Sequence, residues 1–254
     1  MTTSGAAQVP VTLVTGAAGG LGRAVVARLR ECGHRVWATD LALAEIPCAA
    51  PMGVSSLDVT DAAAVQECVA RIEGEWGRLD HVVHLAGRAG RGPLDDVTLD
   101  DWNALLAVNL TSAFVLAKAA HRALARSKGT LTLTSSTNGL NGGSALSGPA
   151  YAVAKAGIVN LVRYLAKEWA GEGIRVNCIA PGPIDETEDM SRLAPGDVKA
   201  RVERQIPLGR FGRIDEIGHA TLYLVSEAAT YVTGTVLVVD GGAWMTMNGL
   251  MAWE

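Results

Sequence analysis

Between residues 11 and 40 the chain spells a strand, a glycine-rich turn, a helix and a second strand, and that order leaves few folds open. Val11-Thr-Leu-Val-Thr15 is a short β-prone run, followed at once by Gly16-Ala17-Ala18-Gly19-Gly20-Leu21-Gly22. Leu21, Val25 and Leu29 then recur at helical spacing as far as Cys32, where Gly33 is placed to stop the helix. Arg35-Val-Trp-Ala-Thr39 is β-prone again. Strand, helix and strand within ~30 residues make a βαβ unit.

The alternation continues to the end. Further strands are expected at 54–57, 81–86, 130–135, 174–179 and 235–239, and helices at 61–75, 101–126, 150–169 and 215–226. Asp61 and Asp215 put negative charge where a helix N-terminus favours it. Seven β-prone runs separated by helices, several of them apolar throughout, imply a parallel sheet covered on both faces. We therefore expect one α/β domain over 1–254, Rossmann-like and doubly wound. Residues 1–9 are read as a flexible start and 243–254 as an apolar tail. Between Pro181 and Lys199 lie three prolines and many acids, read as irregular, with 183–205 the expected cover over a substrate.

Composition narrows the function. The chain has 254 residues, 22 Lys+Arg against 26 Asp+Glu and a formal charge of −4, with no basic run for nucleic acid or an anionic membrane to hold. No 18-residue apolar stretch is apparent, and the first residues lack the basic start and apolar core of a signal peptide. Cys32, Cys48, Cys68 and Cys178 are far apart and read as reduced thiols of a cytoplasmic protein. His81 and His84, three apart on a strand, point to opposite faces, so no metal site is expected. Glycine is over-used, at 29 residues or about 11% against a usual ~7%. That suits many tight strand–helix turns.

The glycine turn reads as a dinucleotide cradle. Gly16 permits the sharp turn, Gly20 lets backbone approach a pyrophosphate, and Gly22 lets the helix lie on the sheet, its N-terminus facing phosphate. Asp40 ends the second strand, where a carboxylate can accept from adenosine ribose hydroxyls and repel a 2′-phosphate. No basic residue stands at Gly19 or Leu41 to offset that repulsion, which favours NAD over NADP. Tyr151-Ala-Val-Ala-Lys155 places a phenol and an ammonium one turn apart on a helix. The ammonium would lower the phenol's ordinary pKa of ~10 toward the working range of a general acid or base.

With Leu57-Asp58-Val59, Val108-Asn109-Leu110, Ser136, Ala180-Pro181-Gly182, Pro207-Leu-Gly-Arg210 and Val239-Asp-Gly-Gly242 also in order, nearly the whole chain resembles a short-chain dehydrogenase/reductase. The resemblance implies a Ser136–Tyr151–Lys155–Asn109 tetrad that interconverts an alcohol and a ketone. Tyr151 would exchange the proton, Ser136 would orient the substrate oxygen, and Lys155 would hold the nicotinamide ribose. Asn109 would hold a water linking Lys155 to solvent. It further implies cofactor contacts at Gly16, Ala18, Gly20, Leu21, Asp40, Leu41, Asp58, Val59, Ala86, Gly87, Pro181, Gly182 and Ile184. Helices 101–126 and 150–169 would join subunits into a homotetramer or homodimer.

Three departures stand out. The family's Asn-Asn-Ala-Gly is His84-Leu85-Ala86-Gly87 here, with His84 read as a structural replacement. Ser136 precedes Tyr151 by 15 positions, a long spacing that leaves Ser135, Ser144 and Ser147 open as the working hydroxyl. The threonine expected after Pro-Gly-x-Ile is displaced to Thr187. Leu140, Met190, Leu193, Trp244 and Met245, with 140–147 and 183–193, are the expected walls of a partly apolar substrate pocket. A 3-oxoacyl reductase of the NADPH type and a non-catalytic NAD sensor or scaffold are the competing readings, the latter opposed by retention of all four tetrad residues.

Overall fold

The computed structural model describes residues 9–46, 52–90, 92–143, 147–185, 187 and 197–246. Seven parallel strands form one sheet in the order β3-β2-β1-β4-β5-β6-β7. These are β1 (Val11–Thr15), β2 (Arg35–Asp40), β3 (Met52–Ser56), β4 (His81–His84), β5 (Thr130–Thr134), β6 (Arg175–Pro181) and β7 (Val236–Val239). The order reverses between β1 and β4, and at that switch point the loops beyond the strand ends diverge and leave a crevice.

Helices α1 (Gly20–Glu31), α2 (Ala62–Trp76), α3 (Leu99–Leu106) and α4 (Ser112–Ser127) are followed by the short α5 (Asn138–Asn141) and the long α6 (Pro149–Trp169). Then come α7 (Asp197–Glu203), α8 (Ile214–Val225) and α9 (Ala243–Thr246). The larger core lies between the sheet and α2, α4 and α6, where Leu13, Val82, Leu116, Leu124, Leu131, Ile158 and Val176 are fully buried. On the other face, Val25 and Leu29 of α1 pack with Val14, Val36 and Val83, and Ile217 and Leu224 of α8 with Ile179. Adjacent strand residues such as Val82 and Val83 thus serve opposite cores, as the pleat requires. Asp61 caps α2 by accepting from the amides of Ala63 and Ala64.

Several sequence expectations are corrected. Pro181 ends β6, and α7 occupies part of the stretch read as irregular. The helix expected from 101 begins at Leu99, after a Thr98 cap, and is interrupted by a π turn at Ala107–Thr111. The run Leu99–Ser127 is 29 residues long and holds an 18-residue window of mean hydropathy 1.4, which by length and composition alone could cross a membrane and which the sequence reading did not single out. Ala113, Leu116, Ala120 and Leu124 of this run are buried in the larger core. Residues 1–8, Cys48, Ser144, Met190, Leu193 and 247–254 lie outside the described residues.

Candidate active site

The glycine turn is built as its spacing implies. Gly16 has φ +70°, and a Cβ there would stand 2.6 Å from the Ala86 amide nitrogen. A Cβ on Gly22 would stand 2.0 Å from the Gly16 carbonyl oxygen. Neither position tolerates a side chain, so α1 starts hard against β1 and the end of β4. Gly20 and Leu21 open that helix.

Asp40 faces the same turn. Its Oδ2 accepts from the Ala18 amide (2.9 Å), and its Oδ1 accepts from Leu41 (2.7 Å) and Ala42 (3.3 Å). A carboxylate offers about four acceptor positions, so one remains. Ala18, expected to contact the cofactor, has its amide already given to Asp40. Leu41 is exposed. The Leu57 amide donates to the Asp40 carbonyl, which brings Asp58 and Val59 alongside. Asp58 is folded into a turn with the Thr60 hydroxyl and amide, which hold its carboxyl below the usual range, while Val59 packs into the larger core.

Sequence reasoning missed Arg23. It follows Gly22 on the first turn of α1 and donates to the Ala18 carbonyl (2.7 Å) and to Glu45 (3.5 Å), so a cation does reach the Asp40 corner. A basic residue directly after the last glycine was the available signal.

The second half of the site converges from four elements. Asn109 sits buried in the π turn, a local widening that re-aims a side chain. Its amide nitrogen donates to the carbonyls of Arg88 (2.9 Å) and Leu105 (3.1 Å), and its Oδ1 accepts from the Arg88 amide (3.2 Å). A Cβ on Gly87 would stand 2.6 Å from that Oδ1 and 3.4 Å from Lys155 Nζ. Gly87 therefore has to be glycine for Asn109 and Lys155 to share this corner. Lys155 is buried, donates to the Thr134 carbonyl (2.9 Å), and stands 5.4 Å from the centre of the Tyr151 ring.

Of the four serines, Ser135 is closed off as the working hydroxyl: it is fully buried and donates to the Lys155 carbonyl (2.8 Å). Ser136 lies one residue on, where β5 leaves the sheet, and accepts from the Asn138 amide (3.2 Å), which leaves its own proton to donate. Ser147 is buried near the start of α6, and its carbonyl accepts from the Gly90 amide. A Cβ on Gly139 would stand 2.6 Å from the Lys155 carbonyl carbon, so α5 lies directly on α6 beside Ser136.

On the far side, Gly182 donates to the Val239 carbonyl and abuts Asp240. The Ile184 side chain is buried with Ile179, Ile217 and Leu224. Thr187 donates its hydroxyl to the Ile184 carbonyl (3.0 Å). Trp244 is partly exposed, held at its amide by Asp240 Oδ2 (2.7 Å). His84 is buried, and its pKa is pushed down to about 3, by burial first and by Lys155 second. It is a neutral imidazole at ordinary pH.

The chain matches known proteins over nearly its whole length. A family model described as enoyl-(acyl carrier protein) reductase matches residues 16–244. The chain is similar to the 3-oxoacyl-(acyl-carrier-protein) reductase FabG of Escherichia coli, at 36% identity over 244 residues, 92% of this chain and 97% of the relative. It is also similar to D-threitol dehydrogenase of Mycolicibacterium smegmatis, at 35% identity over 241 residues, 91% and 92% of the two chains. Among solved structures it matches ligand-free aldohexose dehydrogenase of Thermoplasma acidophilum, with a TM-score of 0.84, 25% identity and coverage of 94% and 95%.

Proposed function

The chain belongs to the short-chain dehydrogenase/reductase family and is an oxidoreductase of that type, and from that premise we propose that it interconverts a secondary alcohol and a ketone with NAD as cofactor. The observation that carries this reading is the convergence of Asn109, Ser136, Tyr151 and Lys155 on one corner of the crevice. Four elements, two of them relieved of side chains at Gly87 and Gly139, are needed to make it.

The residues present fit a nicotinamide dinucleotide. Gly16, Gly20, Leu21 and Gly22 would hold the pyrophosphate at the N-terminus of α1, and the open acceptor position of Asp40 would take a ribose hydroxyl. Asp58 and Val59 would flank the adenine beside Ala18 and Leu41, Ala86 and Gly87 would pass beneath the adenosine ribose, and Pro181, Gly182 and the backbone of Ile184 would contact the nicotinamide side. When bound, such a cofactor supplies the hydride donor or acceptor. The chain supplies position and proton transfer. Ser136 Oγ would donate to the substrate oxygen and fix its angle. Tyr151 Oη would take the alcohol proton in oxidation or give one in ketone reduction. The Lys155 ammonium favours the phenolate form of Tyr151. Asn109 would hold the water through which Lys155 exchanges protons with solvent.

Trp244 and the described residues of the stretch 183–205 would border a small to medium, partly apolar substrate. Exposed Phe114 on α4, and Val153 and Tyr164 on α6, support assembly through these helices into a homotetramer or homodimer. A 3-oxoacyl reductase of the NADPH type is the second reading, favoured by the similarity to the Escherichia coli reductase. Arg23 near Asp40 is the local feature it would use.

The test is a panel of secondary alcohols, ketones and 3-oxoacyl thioesters, followed by nicotinamide absorbance with each cofactor. Turnover of simple alcohols at higher kcat/KM with NAD supports the reading. Faster reduction of 3-oxoacyl thioesters with NADPH supports the alternative. NAD binding without turnover of any member makes the chain a sensor or scaffold.

A further inference from the structure

His84 stands where the resemblance leads one to expect asparagine, and its larger side chain spans a gap that an asparagine is too short to cross in the same way. Its Nδ1 lies 2.7 Å from the Thr15 hydroxyl, on the last residue of β1 before the glycine turn. Its Nε2 lies 3.0 Å from the Ser112 hydroxyl, on the first residue of α4 after the π turn. The Ser112 hydroxyl in turn lies 2.7 Å from the Val108 carbonyl, to which it can only donate. That bond fixes the rest by elimination. Ser112 has spent its one proton and must accept from Nε2–H, so Nδ1 is bare and accepts the Thr15 proton. A single neutral tautomer satisfies every group in the chain of bonds. All three side chains are fully buried.

The two ends of this chain of bonds are the two halves of the site. Thr15 precedes Gly16, whose backbone presses on Leu85 and Ala86. Val108 precedes Asn109, which clamps the backbone of Arg88. A hydroxyl bonded back to the carbonyl four residues earlier also deforms a helix locally, as the π turn requires. We infer that His84 is a positioning residue: its imidazole holds the glycine turn and the Asn109 turn at a fixed separation, so that cofactor and tetrad meet in register. This rests on the assignment of Asn109, Tyr151 and Lys155 proposed above.

Removing the link while filling its volume should cost turnover. In His84→Phe, kcat is expected to fall about tenfold or more, since small misplacements at a reacting centre are costly. NAD affinity is expected to weaken in the same variant. Glutamine can donate through its amide nitrogen and accept through its oxygen, so His84→Gln should recover most of both. Ser112→Ala alone should reproduce most of the loss, and combined with His84→Phe it should add little, because one link is broken once. A residue that merely stabilised the fold would lower the thermal midpoint and leave kcat and NAD affinity of the folded protein unchanged. That result, or full additivity of the two substitutions, overturns the inference. If His84→Phe does not fold, Ser112→Ala decides alone: unchanged kcat and NAD affinity refute the link. Tyr151→Phe is assayed alongside; if it keeps turnover, the tetrad reading fails, whereas an inactive Tyr151→Phe with a wild-type His84→Phe refutes only the role of His84.

Discussion

The two edges of the sheet carry similar side chains and use them in opposite ways. At the N-terminal edge, Asp80 is buried, accepts the Val11 amide (2.8 Å) and is gripped by the guanidinium of Arg78 at 2.6 to 3.1 Å. His34 pairs with the Thr12 hydroxyl, His81 with that of Thr130, and the two rings stand 5.4 Å apart. The Ser127 hydroxyl donates to the Leu79 carbonyl (2.8 Å). These polar groups bond one another and tie strand starts to helix ends. At the C-terminal edge, Asp40 keeps an acceptor position and Ser136 keeps its proton, while glycines at 16, 87 and 139 bring backbone close without filling the space. Residue type alone does not separate structure from function here. What separates them is whether the hydrogen-bonding capacity is already spent.

That contrast can be broken from either side. The largest effect is expected at Tyr151. General acid–base groups contribute about 10²–10⁴-fold, so Tyr151→Phe should lose at least ~10²-fold in kcat, with the ring still packed and the thermal midpoint unchanged. Steady-state assays and thermal melts check this together; substantial residual turnover would place the proton transfer elsewhere.

Next comes Asp80. Asp80→Ala removes charge-assisted bonds and strands the Val11 amide, a loss of about 2–3 kcal/mol in unfolding free energy. Its kcat for the folded protein should match the wild type. A denaturant titration reads the first quantity, and a changed kcat would show that the two edges are not independent.

The smallest effect of a single residue is the response of His84 to acid. His84 has its folded pKa pushed down to about 3, below the ~6.5 of an unfolded histidine. Between those values the unfolded chain binds the proton and the folded one does not, so stability is complete above pH 6.5 and is lost as pH falls toward 3. At pH 5 the loss from His84 alone is about 2 kcal/mol. His81, also pushed down to about 3 by burial, adds to it in the same sense. Melts between pH 7 and pH 4.5 should show the decline, and His84→Gln should flatten part of it. An identical slope in that variant would contradict the assignment.

Much of the fold was legible because it is local. Apolar spacing and single glycines mark every strand of the sheet and the principal helices, and Asp61 announced its own cap. The π turn was not legible, since nothing in Ala107–Thr111 departs from a helical pattern until Asn109 and Ser112 find partners on other elements. Ser135 and Ser136 could not be told apart from spacing. Their difference lies in the Lys155 carbonyl, which only the docking of α6 brings to Ser135. The helix at Asp197–Glu203 was hidden by the prolines and acids before it. Asp40 was expected at the end of the second strand, where the structure has it, but Arg23 was not, since it lies on a different element and meets this corner only through Ala18.

The separation of the two edges is tested most directly by the thermal shift that NAD induces in the wild type, Asp40→Ala and Asp80→Ala. A ligand that binds only the folded state raises its stability in proportion to the logarithm of its concentration over Kd. Asp40→Ala should lose some midpoint without NAD, because its carboxylate accepts from the Ala18, Leu41 and Ala42 amides, but less than Asp80→Ala, and it should respond to NAD more weakly, matching an affinity loss of about one to two decades. Asp80→Ala should start from a lower midpoint and show the full wild-type shift. If Asp40→Ala responds to NAD as the wild type does, or Asp80→Ala loses the response, then the crevice at the C-terminal edge is not the dinucleotide site and the division of labour between the edges is wrong.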